Sequence, residues 1–189
     1  MTHAVHANAE SSARGADRVL DFRPGWATRW EITRSAADTG GELLETVNWA
    51  GPGTGGPPVH LHPNAEESYE VLEGSLEVLI GNDWRTLRAG EKATVRPGTP
   101  HTLRMTAEPV RLINVHRPAL RFEAMFREMH TLIQVGKIKR LPPKDPRSAI
   151  YVAMLFAKYT DEQRMVKPPN GLVRALALLG KTLGLKLDT

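Results

Sequence analysis

Three histidines and one glutamate stand at spacings that suit a single metal ion. His60 and His62 are two residues apart, so on a strand both imidazoles share a face and can address the same ion. Glu67 has the wrong parity for a continuation of that strand, but Pro63-Asn64 interrupts it. A turn there returns Glu67 on a neighbouring strand, across from the histidines. His101 follows Pro97-Gly98-Thr99-Pro100, a turn that delivers an imidazole at the start of another strand. Three imidazoles and one carboxylate suit one divalent transition metal ion, with iron, manganese, nickel, cobalt and zinc all admissible. An octahedral geometry would leave two positions open. The chain contains no cysteine, which removes thiolate nucleophiles, iron–sulfur ligation, disulfides and Cys-type zinc sites together.

The elements that must position these groups are short and β-like. Residues 28–33 and 42–49 flank the Ala-Asp-Thr-Gly-Gly turn at 37–41, a hairpin signal. After the glycine-rich loop at 51–58 come runs at 59–62, 68–72, 75–80, 85–88, 92–95, 102–105 and 110–115. Several short strands at nearly regular spacing, with no amphipathic helix between them, predict an all-β sandwich or barrel and exclude a doubly wound parallel sheet. After Pro118 the period changes. Phe122, Met125, Phe126, Met129, Leu132 and Ile133 share one helical face that ends near Gly136. Asp145-Pro146 reads as the N-cap and first residue of a second helix running to about Tyr159. A third starts after Pro168-Pro169, with Leu172, Leu176, Leu179 and Leu183 as its apolar stripe.

The motifs resemble those of the cupins. The first cupin motif runs Gly, five residues, His-x-His, three or four residues, Glu, six residues, Gly. Here His60-x-His62, Glu67 and Gly74 keep that spacing, and only the upstream glycine is displaced by one, to Gly53 or Gly55. Glu66 is a rival carboxylate, but only Glu67 stands the full six residues before Gly74. The second motif runs Gly, five residues, Pro-x-Gly, two residues, His, three residues, Asn. Gly90, Gly98 and His101 fit it, whereas Pro97 is adjacent to Gly98 and Met105 replaces the final Asn. That replacement makes the cavity more apolar without removing an expected ligand.

The resemblance covers about 100 residues, from Arg18 to Pro118. It implies a mainly β chain, with one jelly-roll barrel that binds a metal through His60, His62, Glu67 and His101. The run Glu67-Ser68-Tyr69-Glu70-Val71-Leu72-Glu73-Gly74 is similar to the quercetinase-like branch, which implies a metal-dependent dioxygenase acting on a small, phenolic molecule. Isomerase and decarboxylase chemistry stay open, because a fold does not settle a reaction. Glu67 would serve as a ligand or as the catalytic base. The alternative is a non-catalytic cupin module that binds or senses a small molecule or metal.

Strand parity puts Tyr69 on the face of Glu67, and Leu103 and Met105 on that of His101, so all three are candidates to line the substrate cavity. Trp49, just before the glycine-rich loop, is the candidate wall of its mouth. His116 and His130 read as packed or surface histidines.

Charge divides the chain unevenly. Residues 1–118 carry 12 Lys/Arg against 15 Asp/Glu, and residues 119–189 carry 13 against 6. The overall +4 therefore belongs to the C-terminal part, which has neither a recognition motif nor the interleaved aromatics of a nucleic-acid binder. Three parts follow: a flexible arm at 1–17, the barrel at 18–118 and a basic helical extension at 119–189. The arm has no apolar core of the kind a signal peptide carries, so the expected location is cytoplasmic. The densest apolar stretch, 150–157, is eight residues long, against the roughly 20 that span a bilayer. The helical stripe is expected to pack on the barrel or across a homodimer, with contact to a membrane surface the less favoured reading.

Overall fold

A computed structural model describes residues 17–187. Ten strands form the barrel: β1 (Val19–Asp21), β2 (Thr28–Arg34), β3 (Leu44–Ala50), β4 (His60–Leu61), β5 (Glu66–Glu73), β6 (Ser75–Ile80), β7 (Asp83–Arg88), β8 (Lys92–Val95), β9 (His101–Met105) and β10 (Val110–Arg117). The extension adds α1 (Phe122–Gln134), α2 (Pro146–Lys158), the two-residue strand β11 (Arg164–Met165) and α3 (Asn170–Thr182). The expected flexible arm lies, apart from Asp17, outside the described residues.

Two antiparallel sheets face each other, a six-stranded one in the order β1-β2-β3-β10-β5-β8 and a five-stranded one in the order β11-β4-β9-β6-β7. This is the expected jelly-roll arrangement. Alternation decides which side chains enter it. In β3, Leu44, Thr46, Asn48 and Ala50 are buried while the residues between them are partly exposed. In β10 the buried set is Val110, Leu112, Asn114 and His116. Tyr69, Val71, Leu76, Val78, Val95 and Leu112 pack with their neighbours into one core.

A second core joins the first strands to the extension. Phe22, Trp30, Ile32 and Leu44 pack with Phe122, Met125 and Leu132 of α1 and with Tyr151 and Leu155 of α2. The division at residue 118 is therefore a change of element type, with one continuous core across it. All six residues of the predicted α1 stripe are buried. The second helix starts as expected: Pro146 occupies its first turn, and the Asp145 side chain accepts a hydrogen bond from the Ser148 amide at 2.9 Å.

Of the two partners expected for the stripe of the third helix, the barrel is not the one it meets. The helix buries Val173, Ala177 and Gly180, packs the partly buried Leu176 beside Ile150 and Met154 of α2, and leaves Leu172, Leu179 and Leu183 exposed, so the leucine stripe does not pack on the barrel. The reason is close approach to α2. A Cβ on Gly180 would lie 2.6 Å from Ile150 Cγ2 and 2.4 Å from Met154 Sδ, so only the face of small residues fits there. Among the described residues, no helix is long and apolar enough to cross a membrane.

Candidate metal centre

Each of the four expected ligands arrives from a different local setting. His60 sits on β4 directly opposite His101 on β9. His62 lies just beyond β4, and the chain then turns into β5, which belongs to the facing sheet. Glu67 thus comes from across the barrel and not from a strand beside the histidines. All four side chains are buried, and their ligand atoms lie within 4.8 Å of one another.

The hydrogen bonds fix the tautomers. His60 Nδ1 is 2.8 Å from the Pro58 carbonyl, His62 Nδ1 is 2.7 Å from that of Glu162, and His101 Nδ1 is 2.8 Å from that of Thr99. A carbonyl only accepts, so each Nδ1 carries the proton and each Nε2 is turned toward the shared centre. There, Glu67 Oε2 lies 2.9 Å from His62 Nε2 and 2.8 Å from His101 Nε2. Two imidazole nitrogens and a carboxylate oxygen brought together in a dry site need a positive charge between them. A metal ion meets that need with the ligand set present, three imidazole nitrogens and one carboxylate.

The electrostatics agree. Burial, helped by the neighbouring His101 and His62, holds His60 well below its ordinary value, so its ring is neutral. Burial alone would raise Glu67, but His116 and His62 nearby and the hydrogen bond with His101 outweigh it and keep the carboxyl ionised. Burial also works against a charged His101, and its bond to Glu67 more than offsets this, raising it. Without a metal, the proton of His101 supplies the charge that the site requires.

Asn114, which sequence reasoning passed over, and His116, which it read as a packed or surface histidine, complete the centre. Asn114 Nδ2 donates to Glu67 Oε1 at 2.8 Å, and His116 Nε2 lies 3.3 Å from the same oxygen. His116 is opposite Glu67 in the β5–β10 register and stacks on Phe122, with ring centroids 4.1 Å apart. The period-two burial of β10 was the signal that could have found both.

Three of the four, His60, His62 and Glu67, lie in the wall of a cavity lined otherwise by Trp26, Trp30, Met105, Phe126, Met129 and Phe156 among others. Tyr69, Leu103 and Met105 line it as expected. Trp49 does not. It follows the inward-facing Asn48 on β3, so it points to the outer face, where the Arg29 guanidinium sits 5.1 Å from its ring. Trp26 and Trp30 supply the indoles instead, and α1 and α2 cover the cavity with Met125, Phe126, Val152 and Phe156. Among the described residues, no lysine or arginine lines it.

Comparison with known proteins agrees with this architecture. Residues 50–116 match the family model described as the cupin domain, and that stretch of the barrel is of the cupin type. Quercetin 2,3-dioxygenase of Bacillus subtilis (strain 168) is 34% identical over 74 residues, which are 39% of this chain and 22% of that protein. The similarity thus spans about a fifth of the relative's length. Among solved structures, KdgF from Halomonas sp. aligns with a TM-score of 0.48 at 18% identity, covering 56% of this chain and 91% of that one. A protein with a double-stranded β-helix domain from Klebsiella pneumoniae aligns with a TM-score of 0.42 at 25% identity, over 48% and 76%.

Proposed function

We propose that this protein is a metal-dependent enzyme of dioxygenase type that acts on a small, uncharged, phenolic substrate. The observation that carries the proposal is the placement of His60, His62 and Glu67, three of the four clustered residues, in the wall of an apolar cavity. His60, His62, His101 and Glu67 would hold the ion. When bound, the ion supplies Lewis-acid polarisation of substrate oxygen or O₂. The rest falls to the side chains. Trp26, Trp30, Phe126 and Phe156 offer flat apolar surface to a ring system. Among the described residues, no lysine or arginine lines the cavity, which disfavours a substrate with an anionic tail, since that charge would be buried without a partner. Glu67 is held by Asn114 on one oxygen and faces the cluster with the other, which fits a ligand that can also take a substrate hydroxyl proton. The short similarity to the bacterial quercetin dioxygenase supports the choice of phenolic substrates.

The test starts from protein purified without a metal-binding tag. Elemental analysis should find about one transition metal ion per chain, and oxygen consumption with quercetin or simpler phenols should depend on it. Metal that stabilises the fold, with phenols that bind and are never converted, would leave a binding or sensing module and overturn the enzyme reading.

A further inference from the structure

Two of the three clustered histidines find their Nδ1 acceptor two residues back in their own segment, His60 at Pro58 and His101 at Thr99. His62 does not. Its acceptor is the main-chain carbonyl of Glu162, 2.7 Å away and 100 residues further along the chain, in the extension and outside the cupin-domain match. Among the described residues this carbonyl is the hydrogen-bond partner of His62 Nδ1.

The segment that presents this carbonyl is clamped from several sides. The buried Glu162 carboxylate accepts from Arg121 Nε at 2.9 Å, Nη2 at 3.1 Å and the backbone N–H at 3.3 Å. Asn64 Nδ2 donates to the Asp161 carbonyl at 3.3 Å. Immediately beyond, β11 pairs with β4, Arg164 opposite Leu61 and Met165 opposite His60. Arg121 reaches this buried carboxylate from the surface, with 54% of its own side chain exposed.

We infer that Glu162 is a positioning residue for the metal centre: its carboxylate, gripped by Arg121, sets its own main-chain carbonyl against His62 Nδ1 and keeps His62 Nε2 bare and aimed at the shared centre. The inference rests on the reading that His60, His62, Glu67 and His101 hold a metal. A ring whose Nδ1 loses its acceptor is free to move its proton to Nε2, where it blocks ligation. Through this bond the extension, though outside the family's domain, is part of the metal site.

Glu162→Ala tests this. Arg121 can turn to solvent in that variant, so the fold should survive. Long-range proton–nitrogen spectra of the metal-free wild type should show His62 with Nδ1 protonated. In Glu162→Ala that pattern should give way to a mixture of tautomers at His62 alone, because the acceptors of His60 and His101 are local. Titration with cobalt(II) should show affinity weakened about 10- to 100-fold. Glu162→Gln, whose side-chain oxygen can still accept from Arg121, should recover most of it. If Glu162→Ala does not fold, Arg121→Gln should produce the same two effects. A folded variant with unchanged His62 resonances and unchanged cobalt affinity would overturn the inference. A wild type that takes up no cobalt or manganese would instead overturn the metal reading, while the tautomer comparison would still decide the role of Glu162.

Discussion

The rings of His60, His62 and His101 have centroids 4.3 to 4.9 Å apart in a buried site, and one carboxylate serves them. Removing an imidazole from such a set removes affinity directly. His101→Ala or His62→Ala should therefore bring metal content per chain down at least about tenfold, by analogy with the loss on altering even outer-shell partners. Circular dichroism should still report the folded barrel, and wild-type metal content in either variant would refute the ligand assignment. These four residues were legible in the sequence because their spacing is local or set by a turn. Asn114 and His116 were not, because they reach Glu67 from β10, a strand more than 40 residues away. The indoles show the limit of parity arguments. Trp49 and the inward-facing Asn48 are adjacent, so fixing which of them enters the barrel requires the sheet register.

Gly74, the last residue of the first motif, has φ of 77° and an ideal Cβ there would lie 2.2 Å from the Pro109 carbonyl oxygen. Backbone conformation and close approach both demand glycine at the β5–β6 junction. Gly74→Ala should cost about 2 kcal/mol or more, read as a lower midpoint in urea with the slope unchanged. At this scale most of the barrel was visible in the sequence, 75–80 and 92–95 to the residue. The misses were β1 and β11, of three and two residues. Strands that short have no period to detect, and β11 exists only because β4 is there to pair with it. The third helix was located from its prolines, but of its leucine stripe only Leu176 joins the face packed on α2. Periodicity reports apolarity, and steric room beside α2 decided the contact.

Barrel and extension share one core, so neither should behave as a free domain. Deleting residues 145–189 uncovers Trp30, Phe126 and Leu132, which pack with α2, and takes away the acceptor of His62. The product should aggregate, and a soluble truncation on size-exclusion chromatography would contradict the shared core. The metal-free protein should also lose stability in acid. Burial lowers His60, His116 and His130 from their ordinary 6.5. For a lowered histidine the unfolded chain binds its proton first, so stability is present above that value and falls with pH below it. His101, raised by Glu67, has the opposite sign: its contribution is full below 6.5 and disappears as pH rises through its folded value. Three groups against one predict a thermal midpoint that drops between about pH 7 and 5, measured by calorimetry in the presence of a chelator.

The two-residue strand β11 has a bearing on how copies of this protein meet one another. A strand at the rim of a sheet offers unpaired amides and carbonyls to any extended chain that drifts by. Without β11, that rim would be β4, which carries His60. With β9 on one side and β11 on the other, β4 has no free edge, so a foreign strand can neither add there nor displace the histidines. The opposite rim, β7, is guarded by Asp83, Arg85 and Arg88, all exposed, whose charges discourage pairing. A segment of two residues thus keeps the chemistry of the barrel apart from the risk of edge-to-edge aggregation.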